Sequence, residues 1–490
     1  MMNDLSNAGA RDMEESGDLN VFLNPGSVAI IGANERPGSW GSVILQRLLS
    51  RNYAGKVYAV NLQAKSVYGI PAFKDVREIP GPVDLVILAI PEQSVEETIS
   101  ACGLKKVKGI TIITAGFGEI SDYGIDREKA LARLARSFGT RLLGPNVSGT
   151  FDLHADFLAA GSRTEGIRAT PMAGISQGGF AFNDLLASGL HRGMGVGKFI
   201  HTGNECDLTV TDFLEHFGND PEVKAVLLYI ETIRDGRRFI KVARQVTRKK
   251  PVVVYKAGRT PGSARAARSH TAALSGTKEI YEGLFDQVGI IVSPTMELLL
   301  PLGHALIERP PMRGNRVAVI TMGGSWGVVL SDFLEESGLL VPELSMNLQG
   351  RLKSMGMPDR ASSKNPVDIG AMGRYPDVDK MLSLGREILS SGEVDALILH
   401  GIGRPGMHEG KDGAEESLFL EVEKRMIEVF NDLEKESRFP VLIGSHYSQW
   451  ESQTIHDLNE KGIRIYNRID EVAQLLSGMC HGWRMKADRG

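Results

Sequence analysis

Between Lys256 and Thr271 the chain sets four cations, Lys256, Arg259, Arg265 and Arg268, ahead of one histidine, His270, and fills much of the remainder with small residues. Such a segment supplies little core, yet it can come close to a phosphoryl group and offset its charge. A neutral imidazole nitrogen attacks an acyl phosphate, and the phosphohistidine that results divides one hard transfer into two easier ones. A solvent-exposed loop histidine is the competing reading. A nucleophilic histidine gains from a carboxylate that fixes its tautomer and stabilises the charged ring. Glu231, directly after the apolar run Ala225-Val226-Leu227-Leu228-Tyr229-Ile230, is the candidate, with a helix-capping or surface acid as the plainer alternative. Of the other histidines, His154, His191, His216, His304, His408, His456 and His481 sit in polar or helical contexts. His201, His400 and His446 follow strand-like runs and can line a pocket.

Glycine turns form the second set of chemically suggestive residues. In Gly32-Ala33-Asn34-Glu35-Arg36-Pro37-Gly38, the two glycines permit a tight loop. Its backbone N–H groups, with the helix start near Ser39, can hold a phosphate or pyrophosphate. The spacing is not GxGxxG, and the next strand ends at Val60-Asn61-Leu62 without the acid that would hold a ribose hydroxyl, which argues against a dehydrogenase. Two further turns, Ser176-Gln177-Gly178-Gly179 and Thr321-Met322-Gly323-Gly324-Ser325, each join a strand to a helix through paired glycines. If both helices aim their N-termini at one spot, they make a site for a phosphate carried on His270. Glycines that merely allow close helix packing are the alternative.

The elements that must position these residues are short Val- and Ile-rich runs alternating with helical periodicity, the pattern of parallel α/β units. The first series runs Val28–Ile31, Val57–Val60, Leu85–Ile90, Ile110–Ile113 and Arg141–Leu143, with Ile44, Leu45, Leu48 and Leu49 on the apolar face of a helix. The second contains Met172–Ile175, Ala225–Tyr229, Pro251–Tyr255 and Ile290–Val292. The third contains Arg316–Ile320, Ala396–Leu399, Pro440–Ile443 and Ile463–Tyr466. Three domains are expected, at 21–155, 165–300 and 315–485, with a Pro-containing linker at 301–314 and a disordered tail at 1–20. In open sheets of this kind ligands bind beyond the carboxyl ends of the strands, which is where the glycine turns, Glu231 and Gly144-Pro145-Asn146 fall.

Bulk properties narrow the setting. A formal charge of −4 over 490 residues, 24% of them charged, gives no sign of a nucleic-acid or membrane surface. Cys102, Cys206 and Cys480 are far apart and form no CxxC pair, which argues against a disulfide framework and a zinc site, and no metal ligand set is assigned. The first twenty residues lack the basic start and apolar middle of a signal peptide, and no apolar run approaches the roughly 20 residues of a membrane span. A cytoplasmic protein is expected.

From Val21 to the C-terminus the order of these segments resembles the nucleoside-diphosphate-forming acyl-CoA synthetases, typified by the ADP-forming acetate–CoA ligases and related to succinyl-CoA synthetase. The most specific stretch is Ala266-Ala267-Arg268-Ser269-His270-Thr271-Ala272-Ala273-Leu274-Ser275-Gly276, similar to the family's phosphohistidine segment. The resemblance implies a Rossmann-like CoA-binding domain followed by two flavodoxin-like domains, with His270 phosphorylated and Glu231 its partner. It assigns coenzyme A to Gly32, Ala33, Pro37, Gly38, Ser39, Asn61, Ile90, Pro91, Ala115, Gly116 and Asn146. It assigns phosphate to Ser176, Gln177, Gly178, Gly179, Gly323, Gly324 and Ser325, and it places NAD well behind coenzyme A. The sequence departs from the family where Ser-Gln-Ser-Gly-Ala becomes Ser176-Gln177-Gly178-Gly179-Phe180, and where Ser-His-Thr-Gly becomes Ser269-His270-Thr271-Ala272. No ATP-grasp domain is recognisable in the 490 residues. The resemblance therefore implies a separate ATP-grasp beta subunit that binds ADP or ATP with Mg²⁺, a hetero-oligomer of two copies with two partners, and a small carboxylic acid or its acyl-CoA as substrate. A CoA- or acyl-CoA-sensing protein that kept the scaffold and lost the reaction is the rival reading.

Overall fold

Runs of Val, Ile and Leu that are apolar at every position must be covered on both faces, and in this chain they form three parallel-rich sheets with helices between successive strands. The computed structural model describes residues 18–161, 166–190, 192–263, 278–370, 377–402, 404–411, 413–445 and 452–487. His191, His446 and the segment carrying Arg265, Arg268 and His270 lie outside them.

The first sheet contains β1 (Ser27–Ile31), β2 (Lys56–Val60), β3 (Ser66–Val67), β4 (Ile70–Phe73), β5 (Leu85–Leu88), β6 (Gly109–Ile112) and β7 (Arg141–Leu143). Its order is β3-β4-β2-β1-β5-β6-β7. All pairs are parallel except the small β3–β4 hairpin. The chain leaves β1 to one side for β2 and returns to the other for β5, so a topological switch lies between β1 and β5, where an open sheet binds its ligand. The helix Trp40–Leu49 buries Ile44, Leu45 and Leu48. Leu49, expected on the same face, points outward and is 40% exposed. Leu19 and Asn20, placed by the sequence in a disordered tail, form a short 3₁₀ turn capped by Asp18, and Leu19, Val21 and Phe22 are buried.

The second sheet contains β8 (Gly149–Asp152), β9 (Phe157–Ala160), β10 (Met172–Ser176), β11 (Lys198–His201), β12 (Ala225–Ile230), β13 (Val252–Lys256) and β14 (Ile291–Val292), in the order β14-β13-β12-β10-β11-β8-β9. The expected boundary at residue 155 falls inside the β8–β9 hairpin. That hairpin continues the second sheet through antiparallel pairing of β8 with β11, because Phe151 and Phe199 pack together there. The third sheet, β15 (Val317–Thr321), β16 (Val367–Asp368), β17 (Ala396–His400), β18 (Val441–Gly444) and β19 (Ile465–Tyr466), is parallel throughout in the order β16-β15-β17-β18-β19. The expected linker 301–314 is helical over most of its first half, within Leu299–Glu308, where Pro301 occupies the first turn and needs no helical N–H bond. Two compact units result rather than three. One holds the first two sheets and extends to Val292; the other holds the third sheet from Ser293, together with Ser188–Met194.

Within the first unit, the segment after β11 joins the two sheets. Its backbone N–H groups at Asn204, Cys206 and Leu208 donate to the carbonyls of Pro145 (3.0 Å), Gly144 (3.0 Å) and Leu142 (3.2 Å). Gly203 has φ +58°, and a Cβ there would lie 2.3 Å from the Pro145 carbonyl oxygen, so only glycine allows this approach. The fully buried Asp207 carboxylate accepts from Arg136 Nε (2.7 Å), Arg141 Nε (2.9 Å) and the Leu142 N–H (2.8 Å). Replacing Asp207 with Ala would strand a buried N–H and remove the anion from a largely buried arginine. An unfolding loss of about 3 kcal/mol is expected in urea titrations, with a smaller loss for Asp207→Asn, which keeps an acceptor.

Candidate active site

The loop after β1 is held by backbone contact. Gly32 has φ +93°, and a Cβ on it would stand 2.2 Å from the Ala89 carbonyl oxygen after β5; a Cβ on Gly41 would meet the Gly32 carbonyl oxygen at 2.1 Å. Asn34 braces this loop by donating from Nδ2 to the Gly32 carbonyl (2.9 Å) and accepting at Oδ1 from Ser39 Oγ (2.7 Å) and the Arg36 N–H (2.9 Å). Ser39 caps the helix Trp40–Leu49. From the neighbouring strand end, Asn61 Nδ2 donates to the Ala33 carbonyl at 2.7 Å.

This loop forms one wall of a cavity of about 610 Å³ at the switch point of the first sheet. Gly38, Ser39, Ile90, Pro91, Ala115 and Asn146 line it, as do Gln177, Gly179 and Phe180 from the turn after β10. Two groups of residues separated by most of a domain in sequence therefore share one space. Ligand pockets typically measure about 300–1,000 Å³, so the size suits an extended small molecule.

The turn after β10 is fastened from three sides. Ser176 is buried and donates its hydroxyl to the Gly178 carbonyl (2.6 Å), so it braces the turn. Gln177 accepts at Oε1 from the Glu231 N–H (2.6 Å) and the Thr232 N–H (2.9 Å), and returns a bond from Nε2 to the Thr232 carbonyl (2.9 Å). His201, at the end of β11, lines the cavity behind Gly179. Its Nδ1 accepts from the Ser148 N–H (2.6 Å), which places the ring proton on Nε2, within 3.0 Å of the Gln177 carbonyl. The helix Gly179–Leu190 begins at this point, so the unpaired N–H groups of its first turn stand at the cavity wall.

Residues 26–150 match the CoA binding domain family, and residues 169–306 match the succinyl-CoA ligase like flavodoxin domain. The chain is 40% identical over 380 residues to the alpha subunit of the ADP-forming acetate–CoA ligase II of Pyrococcus furiosus, covering 78% of this chain and 81% of that one. The chain belongs to the ADP-forming acetate–CoA ligase family. It is 34% identical to the acetate–CoA ligase of Methanocaldococcus jannaschii, where the match covers 72% of this chain and 49% of that protein. The dinucleotide forming acetyl-coenzyme A synthetase 1 of Ca. Korarchaeum cryptofilum, solved with phosphate and ADP, superimposes with a TM-score of 0.82 at 30% identity, over 96% of this chain and 98% of that one. The acid–thiol ligase class and the α/β architecture expected from the sequence follow from these likenesses.

Set in this ligase family, the remaining assigned residues divide by position. Gly32, Ala33 and Asn61 lie beside the cavity and shape its wall, while Pro37 sits within the same loop. Gly116 directs its N–H to Glu119 Oε1 at 2.5 Å. Glu231 is buried behind the turn after β10, with Oε1 3.4 Å from where a Gly178 Cβ would stand. Burial, with the Glu231 carboxylate nearby, pushes the Tyr229 phenol pKa up. Lys256 Nζ donates to the Glu231 carbonyl at 2.7 Å. Burial, with Arg259 nearby, lowers the Lys256 pKa to about 8. In the second unit, Gly323 caps the helix Gly324–Glu336, Ser325 is exposed, and the Asp368 carboxylate lies beside Gly324. His400 packs its ring 5.3 Å from Trp326. His270 lies outside the described residues. Among those residues no helix is long and apolar enough to cross a membrane.

The structure adds Trp40, Thr114, Ser148 and Asn204 to the cavity wall, and Tyr229 and Lys256 to the surroundings of Glu231. A tyrosine within an apolar strand carries no sequence signal of such a role. Tyr229 also accounts for the unusual Gly178: a side chain there would place Cβ 2.8 Å from Tyr229 Cε1. Gly178→Ser is expected to cost about 1–3 kcal/mol, and a double-mutant cycle with Tyr229→Ala should recover part of that loss. Lys256 gives a pH signature. Between about pH 8 and its ordinary 10.5, the unfolded chain holds a proton that folded Lys256 has released, so stability rises with pH in this window. Urea titrations at pH 7.5 and 9.5 should show that gain in the natural protein and its loss in Lys256→Met.

Proposed function

We propose that this chain is the alpha subunit of an ADP-forming acyl-CoA ligase that interconverts acyl-CoA, ADP and phosphate with a carboxylic acid, CoA and ATP. The observation that carries this reading is the single cavity lined both by the loops after β1, β5, β6 and β7 and by the Gln177–Phe180 turn. A thioester held by the first group is thereby next to a helix N-terminus suited to phosphate. In the first step a phosphate oxygen attacks the thioester carbonyl, the C–S bond breaks, and CoA leaves as thiolate to take up a proton. In the second, an imidazole nitrogen of His270 attacks phosphorus, and the carboxylate departs. In the third, a terminal phosphate oxygen of ADP attacks phosphorus, the P–N bond breaks, and the imidazole is released.

Glu231 is the group assigned to hold the His270 ring and stabilise its positive charge; its fixed position, set by Gln177 and Lys256, supports that role. Gly323, Gly324 and Ser325 are assigned to phosphate binding. The nucleotide and Mg²⁺ are assigned to a separate ATP-grasp beta subunit in a hetero-oligomer. That the Pyrococcus furiosus relative is an alpha subunit supports a partner subunit, and the ADP and phosphate of the Korarchaeum complex support the nucleotide. A cytoplasmic setting completes the reading. With the partner subunit, [γ-³²P]ATP and Mg²⁺, the natural chain should become labelled, and His270→Ala should take up no label while its CoA affinity, measured by calorimetry, stays within about twofold. Labelling retained in His270→Ala refutes the assignment.

A further inference from the structure

We propose that His201 is a positioning residue for transfer of the acyl group between CoA and phosphate. Its two ring nitrogens hold the turn after β10 in register with the loop after β7, so it governs the rate of that step and not the binding of CoA. The inference rests on the ligase reading above and deepens it with a residue that the sequence leaves among histidines able to line a pocket. His201 ends β11, which pairs with β10 so that His201 stands opposite Ser176. It is buried and lines the cavity, as do Ser148 and Gln177, the two residues that its ring bonds.

On one side Nδ1 accepts from the Ser148 N–H at 2.6 Å, with Ser148 Oγ at 3.0 Å. Ser148 follows Asn146 by two residues, and its carbonyl accepts from the Gly161 N–H at 2.8 Å, so the ring grips a strand end that is itself anchored. On the other side Nε2 donates to the Gln177 carbonyl at 3.0 Å. In a trans peptide C=O and N–H point in opposite directions, so a fixed Gln177 carbonyl also fixes the Gly178 N–H, just before the helix Gly179–Leu190 begins. The fit is close: a Cβ on Gly179 would lie 2.7 Å from His201 Cε1 and 3.1 Å from Ser148 Oγ. An imidazole is a rigid plate with its acceptor and donor on separate edges, which sets the spacing of the two loops. Binding of CoA does not pass through this ring, because the loop after β1 is braced by Asn34 and Asn61 instead. What the ring sets is the distance between thioester and phosphate, and a displacement of about 1 Å between reacting groups costs about a hundredfold in rate.

The test uses the complete enzyme, this chain with its partner subunit and Mg²⁺. It follows ATP formation from ADP, phosphate and the best of acetyl-CoA, butyryl-CoA and phenylacetyl-CoA, together with labelling of the chain by [γ-³²P]ATP. His201→Leu, which fills the space without either bond, should lower kcat by about a hundredfold while KM for acyl-CoA and for phosphate stays within about threefold and the labelling rate is unchanged. His201→Asn keeps an acceptor near Nδ1 and His201→Gln a donor near Nε2, and each should recover part of kcat. A His201→Leu enzyme with the natural kcat overturns the inference, as does a loss of kcat matched by an equal loss of labelling or of CoA affinity, which a merely structural role produces. Should the Leu variant not fold, Asn and Gln variants that both match the natural kcat overturn it, and a kcat lowered in both with labelling intact supports it. Absence of ATP formation with all three thioesters, in a natural complex that still binds CoA, overturns the ligase reading itself and the inference with it.

Discussion

Asp207 and the backbone around it hold strand ends of two parallel-rich sheets against each other, and the cavity lies beside that joint. Each sheet alone offers loops beyond its strands, as any open α/β sheet does. What turns two sets of loops into one site is the run from Thr202 to Leu208, which lays its N–H groups on the carbonyls of Leu142, Gly144 and Pro145. It also buries a carboxylate between two arginines. Charge burial of this kind adds little net stability over apolar packing, but it tolerates one geometry only. The close approach at Gly203 has the same character, since neither the chain path nor the 2.3 Å clearance admits a side chain. The joint therefore fixes Asn146 and Ser148 on one side relative to His201 and Gln177 on the other.

From that joint, position passes inward through hydrogen bonds. Ser148 fixes the tautomer of His201, His201 faces the Gln177 carbonyl, and the Gln177 side chain grips the backbone of Glu231 and Thr232. The Glu231 backbone is thus tied, link by link, to the wall of the cavity. Preorganisation of this sort stabilises a developing charge without reorganising the protein during the reaction. The small residues at 178 and 179 follow from the same crowding, because Tyr229 and His201 already fill the space that side chains there would occupy.

Much of this was legible in the sequence where residue type alone carries the constraint. The apolar runs gave the strands because burial on both faces demands them, and Gly32, Gly38, Gln177 and Glu231 stood out because turns and strand ends are where ligands bind. Lys198–Ile200 reads only as a strand-like run before His201 and is missing from the expected series of strands, as is the hairpin Gly149–Ala160. Lys198 breaks the apolar pattern, its charge being neutralised by Asp220 and Glu222 after folding, and the pairing of Phe151 with Phe199 is non-local. The expected boundary at 155 lies inside a hairpin because membership of a sheet is decided by pairing partners and not by local composition. Ser176 shows the limit for site residues: its type suits phosphate, but its hydroxyl is committed to the Gly178 carbonyl, a bond no spacing rule anticipates.

The electrostatics of the first unit divide the chemistry between fixed and sequence-adjacent parts. Arg36 is the one cation among the described residues lining the cavity, and it sits on the loop suited to the phosphates of a long thiol cofactor. At the other end the fixed wall offers helix N–H groups, which carry only partial positive charge. A phosphoryl group in transfer carries more negative charge than one helix end can offset. The sequence sets Lys256, Arg259, Arg265 and Arg268 ahead of His270. Lys256 itself is withdrawn into the base of that stretch, its ammonium held by the Glu231 carbonyl and lying 4.3 Å over the Tyr281 ring. Arg259 lies 4.8 Å over the Tyr255 ring and donates to its hydroxyl at 3.3 Å.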